Sequence, residues 1–380
     1  MRFKATALTP VLVGDGRALA PIDYMVWKDQ VNVLDQRRIF QLLARGPRLE
    51  NYLTQLRRAT KLDFASWGGF AQNFSQRRIP FEDPSSTTTW NAAAAESLFI
   101  PTFASDYRGA YLPASALKGA LRSGLVFSRW SAGTLEKISA SIEGERLPRR
   151  VTESAEASAG ASQVRVMEIA DSDPVNGSAF RVFLTRVASI DTRQPGKTQL
   201  AWKVAARGSV VAQRVNDATA VFAEMAVPGT SFSGAWEERT FLTDPELARS
   251  LGWQSPPNPA EIVAGANRYA AAQLEVHARY AELTGLEGLR RTLDRLKNEL
   301  ATAEASNMEC LLCVGWGSGF TSKSGFLDMG EEPYRNLLRR LPIFAHSLRE
   351  GAPFPKTRRI VFTGGQPSTM PGWIKLQFAG

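Results

Sequence analysis

A glycine-rich segment near the end of the chain combines residue types that bind a nucleic-acid backbone. Glycine permits positive φ and close approach of another backbone, and successive amides in such a loop can point at one anion. Aromatic rings offer faces on which bases stack, and a lysine suits phosphate. The alternative is a tight turn whose rings point into the core. The candidates in this segment are Gly315, Trp316, Gly317, Ser318, Gly319, Phe320 and Lys323.

A second group of candidates lies on a predicted helix that starts at Ser115 and ends near Arg129. Ser115, Lys118 and Arg122 stand on successive turns, and serine is a residue type that caps helix starts. Free N–H groups, a hydroxyl and two cations at one helix start would favour a bound phosphate. Structural capping and plain surface charge are the alternative. We expect Lys118 to matter most of the three.

The same helix contains a glycine that its own stability does not favour. Leu117, Leu121 and Leu125 have the spacing of one buried stripe. Gly119 lies between them and costs about 1 kcal/mol relative to alanine in a helix. Its presence suggests that something approaches the first turn of the helix closely.

The other candidates are a glycine turn and two basic groups. Gly14 and Gly16 end an apolar segment, and Arg77 and Arg78 lie near phenylalanines in a predicted long loop over 63–95. The last group lies beside a predicted strand, framed by a proline and a pair of glycines. Its members are Lys356, Arg358 and Arg359.

The cysteines and histidines do not have the spacing of a metal site or a nuclease. Cys310 and Cys313 are the only cysteines, and a predicted strand over 308–314 would point their thiols to opposite faces. We therefore expect buried, inert thiols. His277 is expected to lie in the core of a long helix. His346 follows a short helix and could approach the glycine-rich segment.

Acidic residues near position 170 could hold a metal. Glu168, Asp171 and Asp173 supply oxygen ligands. The favoured interpretation is a turn before Pro174 in which the aspartates cap local N–H groups. Neither a Walker A motif nor a Gly-x-Ser-x-Gly elbow is present. The sequence thus predicts no catalytic residue, no metal site and no cofactor.

Composition favours a polyanionic partner. The 380 residues include 46 Lys and Arg against 37 Asp and Glu, which gives a formal net charge of +9. The first residues are typical of a strand and not of a secretory signal. No apolar run reaches the length of a membrane span. With only two cysteines, a reducing cytoplasm is the expected compartment.

The element pattern predicts where the candidates lie. Residues 131–163 are expected to be mobile, and a Pro-Gly turn at 228–229 should join two paired strands. Strands are predicted over 2–13, 21–26, 164–170, 179–190, 210–225, 230–238, 308–314 and 372–378, with another that ends at Pro113. Helices are predicted over 35–44, 48–60, 115–129 and 333–341.

The length favours two domains, with a predicted boundary between 1–215 and 216–380. Each half has the order of an elaborated βαββαβ unit. The expected fold class is therefore α+β, with two ferredoxin-like, RRM-like modules that carry helical insertions. The C-terminal module would contain a helical insertion over 258–305, opened by an Asn258 cap, and the glycine-rich loop 315–323.

These motifs together resemble the RAMP superfamily of CRISPR proteins, most sharply the family of crRNA 3′-end subunits of type III-A (Csm) effector complexes. The order and spacing of four blocks carry the resemblance. Between these blocks the similarity to the family is thin. One block has Ala114 where the family often has glycine, and 131–163 matches nothing in it. The blocks are Leu8–Gly16 with Pro21–Tyr24, Leu112–Arg122, Val166–Asp173, and Val314–Phe320 with Pro355–Arg358.

The resemblance implies a non-catalytic RNA-binding subunit. It would hold the 3′ region of crRNA, cap the backbone filament and support crRNA 3′-end maturation without chemistry of its own. Its expected partners are crRNA and a neighbouring RAMP backbone subunit. Contacts with small subunits, target RNA and host nucleases are further expectations. Recognition should address the RNA backbone and stacked bases more than base sequence.

Two other functions fit the same blocks. A RAMP-type endoribonuclease that processes crRNA precursors would need His346 or Lys323 as an acid or base. A RAMP subunit of a related Cmr-like complex is a second alternative, with which the length and the two-module layout are also compatible.

Overall fold

The computed structural model describes residues 1–379, apart from 45–48, 51–52, 55–56, 58–72, 131, 143–155, 158–159, 192–197, 205–209, 254, 346 and 350. The strands are β1 (Arg2–Ala7), β2 (Ala18–Leu19), β3 (Tyr24–Trp27), β4 (Gln30–Leu34), β5 (Ser75–Pro80), β6 (Ile100–Pro101), β7 (Ser105–Asp106), β8 (Gly109–Ala110), β9 (Met167–Ile169), β10 (Phe180–Asp191), β11 (Gln199–Lys203), β12 (Val211–Ala212), β13 (Val221–Ala226), β14 (Ser231–Glu238), β15 (Glu309–Cys313), β16 (Thr357–Thr363), β17 (Gln366–Thr369) and β18 (Trp373–Ala379). The helices are α1 (Gln36–Leu43), α2 (Ser86–Ala92), α3 (Ala114–Arg129), α4 (Ala132–Ala140), α5 (Pro245–Ser250), α6 (Pro259–Thr284), α7 (Glu287–Glu304), α8 (Glu332–Arg339) and α9 (Pro342–Ala345).

The first sheet joins both ends of the chain. Its five antiparallel strands have the order β15-β18-β1-β14-β9, so β1 lies between β18 and β14. Ala5 pairs with Leu376 on one side and with Phe232 on the other. The opening strand ends at Ala7, earlier than the predicted residue 13. Pro10 has no N–H to donate, which is consistent with an early end of regular pairing.

The second sheet is built around the twelve-residue strand β10. It has six strands, with β10 paired to β11, β13 and β16. The predicted pairing of 210–225 with 230–238 is wrong, because β13 pairs with β10 whereas β14 pairs with β1 and β9. The turn at 228–229 carries the chain from one sheet to the other. Gly229 N–H is held there by the carbonyl of Ala7 at 2.7 Å.

The α+β class is confirmed, since helices cover antiparallel sheets. Both large sheets draw strands from either side of residue 215, the predicted domain boundary. Two separate ferredoxin-like modules therefore remain a prediction. None of the helices in the described ranges combines the length and apolar character that a bilayer span requires.

Helices α3 and α6 pack against each other through glycine. The predicted leucine stripe of α3 is confirmed, because Leu117, Leu121 and Leu125 are all buried. A Cβ on Gly124 would lie only 2.6 Å from the Cα of Ala266 on α6. Glycine at this position therefore sets how closely the two helices approach.

Helix α6 begins as its sequence predicts. Asn258 Oδ1 accepts from the N–H of Glu261 at 2.9 Å, and Glu261 Oε2 accepts from the N–H of Asn258 at 3.2 Å. This capping box satisfies two amides that a helix start otherwise leaves unpaired. The predicted helix 35–44 is confirmed as α1, with Asp35 accepting from Arg38 N–H at 3.0 Å.

Two predicted irregular segments contain regular structure. The predicted loop 63–95 includes β5 and α2, and its first residues lie outside the described part. The predicted mobile segment 131–163 includes α4, whose Leu135 and Ile138 join a core cluster with Tyr334 of α8. Most of the predicted helix 48–60 also lies outside the described residues.

Two glycines of α3 allow a matched test of helix packing. We expect Gly124→Ala to lower the free energy of unfolding by about 1–3 kcal/mol, because the new methyl meets backbone of α6. Gly119→Ala should raise that free energy by up to about 1 kcal/mol, since no atom lies within 4 Å of the added Cβ. Chemical denaturation of both variants measures the difference. Equal effects would contradict the packing described for α3 and α6.

Candidate nucleic-acid interface

Segments from distant parts of the chain converge on one cleft of about 660 Å³. Its walls come from 12–18, 101–102, 115–123, 313–316 and 322–323. Three of the sequence-predicted groups therefore meet there: the first glycine turn, the start of α3 and the glycine-rich segment. The predicted site residues that line the cleft are Gly14, Gly16, Ser115, Arg122, Gly315, Trp316 and Lys323.

Backbone hydrogen bonds fix the walls of the cleft relative to each other. Trp316 N–H donates to the carbonyl of Leu12 at 2.7 Å, and Ala104 N–H donates to the carbonyl of Val13 at 2.9 Å. Gly315 has φ +81°, and a Cβ there would lie 2.1 Å from the carbonyl oxygen of Leu12. Only glycine fits this crossing, so the predicted close approach is real but is made by the chain itself.

Helix α3 forms one wall of the cleft, and its start differs from the prediction. Ser115 does not cap it, because the helix begins at Ala114 and Pro113 occupies the cap position. The N–H of Ala114 instead donates to Asp171 Oδ1 at 2.7 Å. A carboxylate from another segment thus already holds one amide of the predicted phosphate site. Ser115 and Gly119 lie on the cleft side of the helix.

In the part of the chain that the structure describes, three cations line the cleft. Arg17 is largely exposed, with its Nε 3.3 Å from Asp15, and Arg122 forms an ion pair with Glu156. Lys323 is exposed and has no carboxylate partner among the residues that the structure describes. Lys323 is therefore the cation best placed to receive a phosphate.

Lys118 lies outside the lining of the cleft. Its Nζ donates to Glu168 at 2.8 Å, and Arg239 contacts the other oxygen of the same carboxylate at 2.6 Å. The hydrogen bond from Lys118 is the main reason that the pKa of Glu168 is lowered. The RNA contact predicted for Lys118 remains a prediction and would require this pair to rearrange.

The remaining residues of the glycine-rich segment do not line the cleft but form the structure of the loop itself. The Ser318 hydroxyl is buried and donates to the carbonyl of Gly315 at 2.7 Å. Phe320 packs edge-on against Phe344 and Phe354, with centroids 5.4 Å away in both cases. This ring points into a core cluster, as the alternative interpretation of the segment predicted. Gly319 is exposed, with no atom within 4 Å of an added Cβ.

Trp316 is shared between the cleft and the interior. It is half-buried, and the Arg359 guanidinium lies 4.2 Å from a ring centroid. Arg359 also donates to the Thr185 hydroxyl at 3.0 Å. Burial lowers the pKa of Arg359 to about 10. The guanidinium packs on the indole in a cation–π contact, and Trp316 also lines the cleft.

Two other predicted arginines have partners within the fold. Arg77 forms an ion pair with Glu224, a residue fully buried in β13. Arg358 is buried, and its Nε donates to His277 Nδ1 at 3.0 Å. Burial lowers the pKa of Arg358 to about 10. Both side chains contact buried partners inside the fold, and RNA contacts from them remain a prediction.

Arg78 and Lys356 also lie away from the cleft lining. Arg78 is on β5, in a strand where the sequence predicted a loop. Lys356 precedes β16 and is half-buried, and this burial lowers its pKa. Gly317 packs on Arg359, with an added Cβ only 2.9 Å from Cδ. RNA binding by these residues remains a prediction.

The sulfur and imidazole groups are placed largely as predicted. Cys310 and Cys313 are free, buried, and belong to different core clusters. Burial raises the pKa of the Cys313 thiol to about 12 and that of Cys310 further. His277 is a buried core histidine whose pKa burial lowers well below its ordinary value. His346 lies outside the described residues.

The acidic turn acts through hydrogen bonds and ion pairs. Asp171 holds Ala114 N–H, and Asp173 Oδ2 accepts from Arg2 Nη2 at 2.5 Å. The predicted capping of local N–H groups is wrong for both aspartates, because Asp171 accepts from an amide 57 positions away and Asp173 pairs with Arg2. Within the described ranges, acidic, histidine and cysteine side chains form no cluster of metal-ligating groups.

Arg17 and Thr102 are among the cleft residues that were not sequence candidates. Arg17 follows the first glycine turn directly, and Thr102 N–H donates to its carbonyl at 3.2 Å. The position of Arg17 directly after Gly14 and Gly16 could have identified it as a candidate from the sequence. Thr102 has no such signal, because only the tertiary structure brings it to this wall.

Comparisons with known proteins identify the fold. No protein-family model matches the sequence, and no curated protein matches it. A chain of the cryo-EM structure of the Csm–crRNA–target RNA ternary complex in a type III-A CRISPR–Cas system matches with a TM-score of 0.64 and 17% identity. That match covers 99% of this chain and 100% of the other.

The crystal structure of Csm5 from T. onnurineus is also similar. Its TM-score is 0.61 at 14% identity, and the match covers 98% of this chain and 99% of that one. Both similarities extend over nearly the whole length of each chain. The protein therefore has the fold of these CRISPR proteins, and the resemblance predicted from four short sequence blocks is confirmed at the level of the fold.

Thiol reactivity tests the wall of the cleft at Cys313. We expect both cysteines of the native protein to resist alkylation at about pH 8, where an exposed thiol is partly ionised. Both should react once denaturant unfolds the chain. Cys313→Ser, which leaves only Cys310, is the matched control for assigning the signal. Rapid native labelling that disappears in Cys313→Ser would show that this thiol is open to the cleft.

Proposed function

We propose that this protein is a non-catalytic RNA-binding subunit of a type III-A CRISPR interference complex. It holds the 3′ region of crRNA in the cleft, caps the backbone filament and supports crRNA 3′-end maturation. The observation that carries the proposal is the convergence of three separate motifs on one cationic, glycine-lined cleft. The fold shared with a chain of a Csm–crRNA–target RNA complex supports the choice of RNA as ligand.

The chemistry of the cleft suits a single RNA strand. Arg17, Arg122 and Lys323 supply charge for phosphates, and Trp316 supplies a stacking face. The glycines and alanines of the wall have small side chains or none, so sugars and phosphates can lie directly against the backbone. Such a surface reads the RNA backbone and stacked bases, with little readout of base sequence.

The partners follow from the same proposal. A subunit that caps a filament contacts crRNA on one surface and one RAMP neighbour on another. Small subunits, target RNA and host nucleases would meet it only within the assembled complex. A subunit of a Cmr-like complex would bind RNA through the same cleft, so copurification with the other subunits of each complex distinguishes the two assemblies.

Removing cleft cations should change the salt dependence of RNA binding. We expect Arg122→Ala with Lys323→Ala to weaken RNA binding, and to make the slope of log K against log[salt] shallower by about 1.4. Each lost phosphate contact on a single strand contributes about 0.7 to that slope. Filter-binding titrations with a single-stranded repeat RNA measure it. Arg290→Ala is the matched control, because Arg290 pairs with Glu287 on α7 outside the cleft.

The same titrations distinguish binding from cleavage. We propose that the RNA is recovered intact on a denaturing gel. An unchanged salt-dependence slope in the double variant would show that the cleft is not the RNA-binding surface. Product that forms with the unaltered protein and disappears in His346→Ala or Lys323→Ala would instead indicate a RAMP-type endoribonuclease.

Gly119 offers a steric test of the same cleft. Gly119→Leu places a side chain at the cleft wall, where an added Cβ meets no atom of the chain within 4 Å. We expect unchanged or higher stability, because leucine favours a helix more than glycine does. RNA affinity should fall at least tenfold, about 1.4 kcal/mol, because the side chain occupies the RNA path. Gly119→Ala is the smaller control, and full RNA binding by both variants would place the RNA elsewhere.

A further inference from the structure

A fully exposed aromatic ring lies at the tip of the β7–β8 hairpin. Tyr107 is 96% exposed, more than any other large hydrophobic side chain of the described residues. It lies in the turn between β7 and β8, where Asp106 pairs with Gly109. Such an exposed ring has no role in the core of this fold.

The hairpin holds this ring in a defined place. Asp106 Oδ1 accepts from Arg108 N–H at 2.8 Å, and its Oδ2 accepts from Arg108 Nε and Nη2 at 3.0 and 2.8 Å. At the base, Val175 N–H donates to the carbonyl of Ala110 at 2.8 Å. These contacts close the turn and brace the strand behind it. The ring is therefore presented on an ordered support.

Along the chain, the hairpin lies between two segments that line the cleft. The chain leaves the wall at Thr102 and returns to it at Ser115, both of which line the cleft. Ala104 N–H ties the outgoing strand to Val13. Five residues of extended chain at about 3.3 Å each place Tyr107 within about 17 Å of Thr102. An RNA strand that leaves the cleft beside Thr102 therefore needs to extend no further than this distance to meet the ring.

We propose that Tyr107 stacks on an unpaired base of the RNA strand just outside the cleft. The inference rests on the proposed function and adds a base-stacking position to it. A tyrosine ring is a stacking surface for any base, and the guanidinium of Arg108 lies 5.7 Å from the ring centroid.

The surroundings of Tyr107 favour a base over a protein partner. The hairpin residues beside it are Ser105, Asp106, Arg108 and Gly109, which are polar or lack a side chain. A protein-docking position of high affinity usually places its aromatic residue within an apolar patch. The isolated ring on a polar hairpin matches single-base stacking better.

The test compares Tyr107→Ala with Tyr107→Phe on the full chain. Alanine should weaken binding of single-stranded repeat RNA by about five- to a hundredfold, the range for loss of one stacked base, whereas phenylalanine should bind nearly as the unaltered protein does. RNAs with 2-aminopurine at successive positions should show quenching at one position outside the cleft-bound segment. That quenching should persist with phenylalanine and disappear with alanine.

Other outcomes would overturn the inference. Unchanged affinity and an unchanged 2-aminopurine profile in Tyr107→Ala would remove the stacking role. Loss of a neighbouring subunit from Tyr107→Ala, with RNA binding intact, would assign the ring to a protein contact instead. If the unaltered protein binds no RNA, the proposed function itself fails. An unchanged thermal midpoint, expected for so exposed a side chain, excludes unfolding as the cause.

Discussion

One backbone crossing organises the cleft. The carbonyl of Leu12 accepts from the N–H of Trp316, and Gly315 lets the two segments meet with no side chain between them. The crossing lies next to the β1–β18 ladder, where Ala7 pairs with Ile374. Residues from opposite ends of the chain thus form one wall. The start of α3 lines the same cleft, and Ala104, which precedes the hairpin, donates its N–H to the carbonyl of Val13.

Much of the positive charge serves the fold and not the cleft. Arg77 and Arg358 contact buried partners, Arg359 packs on an indole, and Lys118 shares the carboxylate of Glu168 with an arginine from another segment. Net charge alone therefore overstates how many cations can meet a phosphate. The cleft combines a few cations with a wall of glycines that leaves the backbone accessible. This arrangement suits a flexible single strand of nucleic acid.

Elements with local determinants could be predicted from the sequence. The capping box at Asn258 and the leucine stripe of α3 lie within one element each, so periodicity and capping chemistry were sufficient. The pairing of β13 and β14 could not be predicted. A Pro-Gly turn looks alike whether it closes a hairpin or connects two sheets, and the difference lies in hydrogen bonds to distant strands.

The sequence by itself determined which chemistry is available: glycines that allow close backbone approach, an indole, a lysine and an excess of cations. Only the tertiary structure decided which of these groups face the cleft. Asp171 holds Ala114, Glu168 holds Lys118 and Glu224 holds Arg77, and each partner lies far away along the chain. Whether a charged side chain is exposed or paired depends on such non-local neighbours, which spacing along the sequence does not encode.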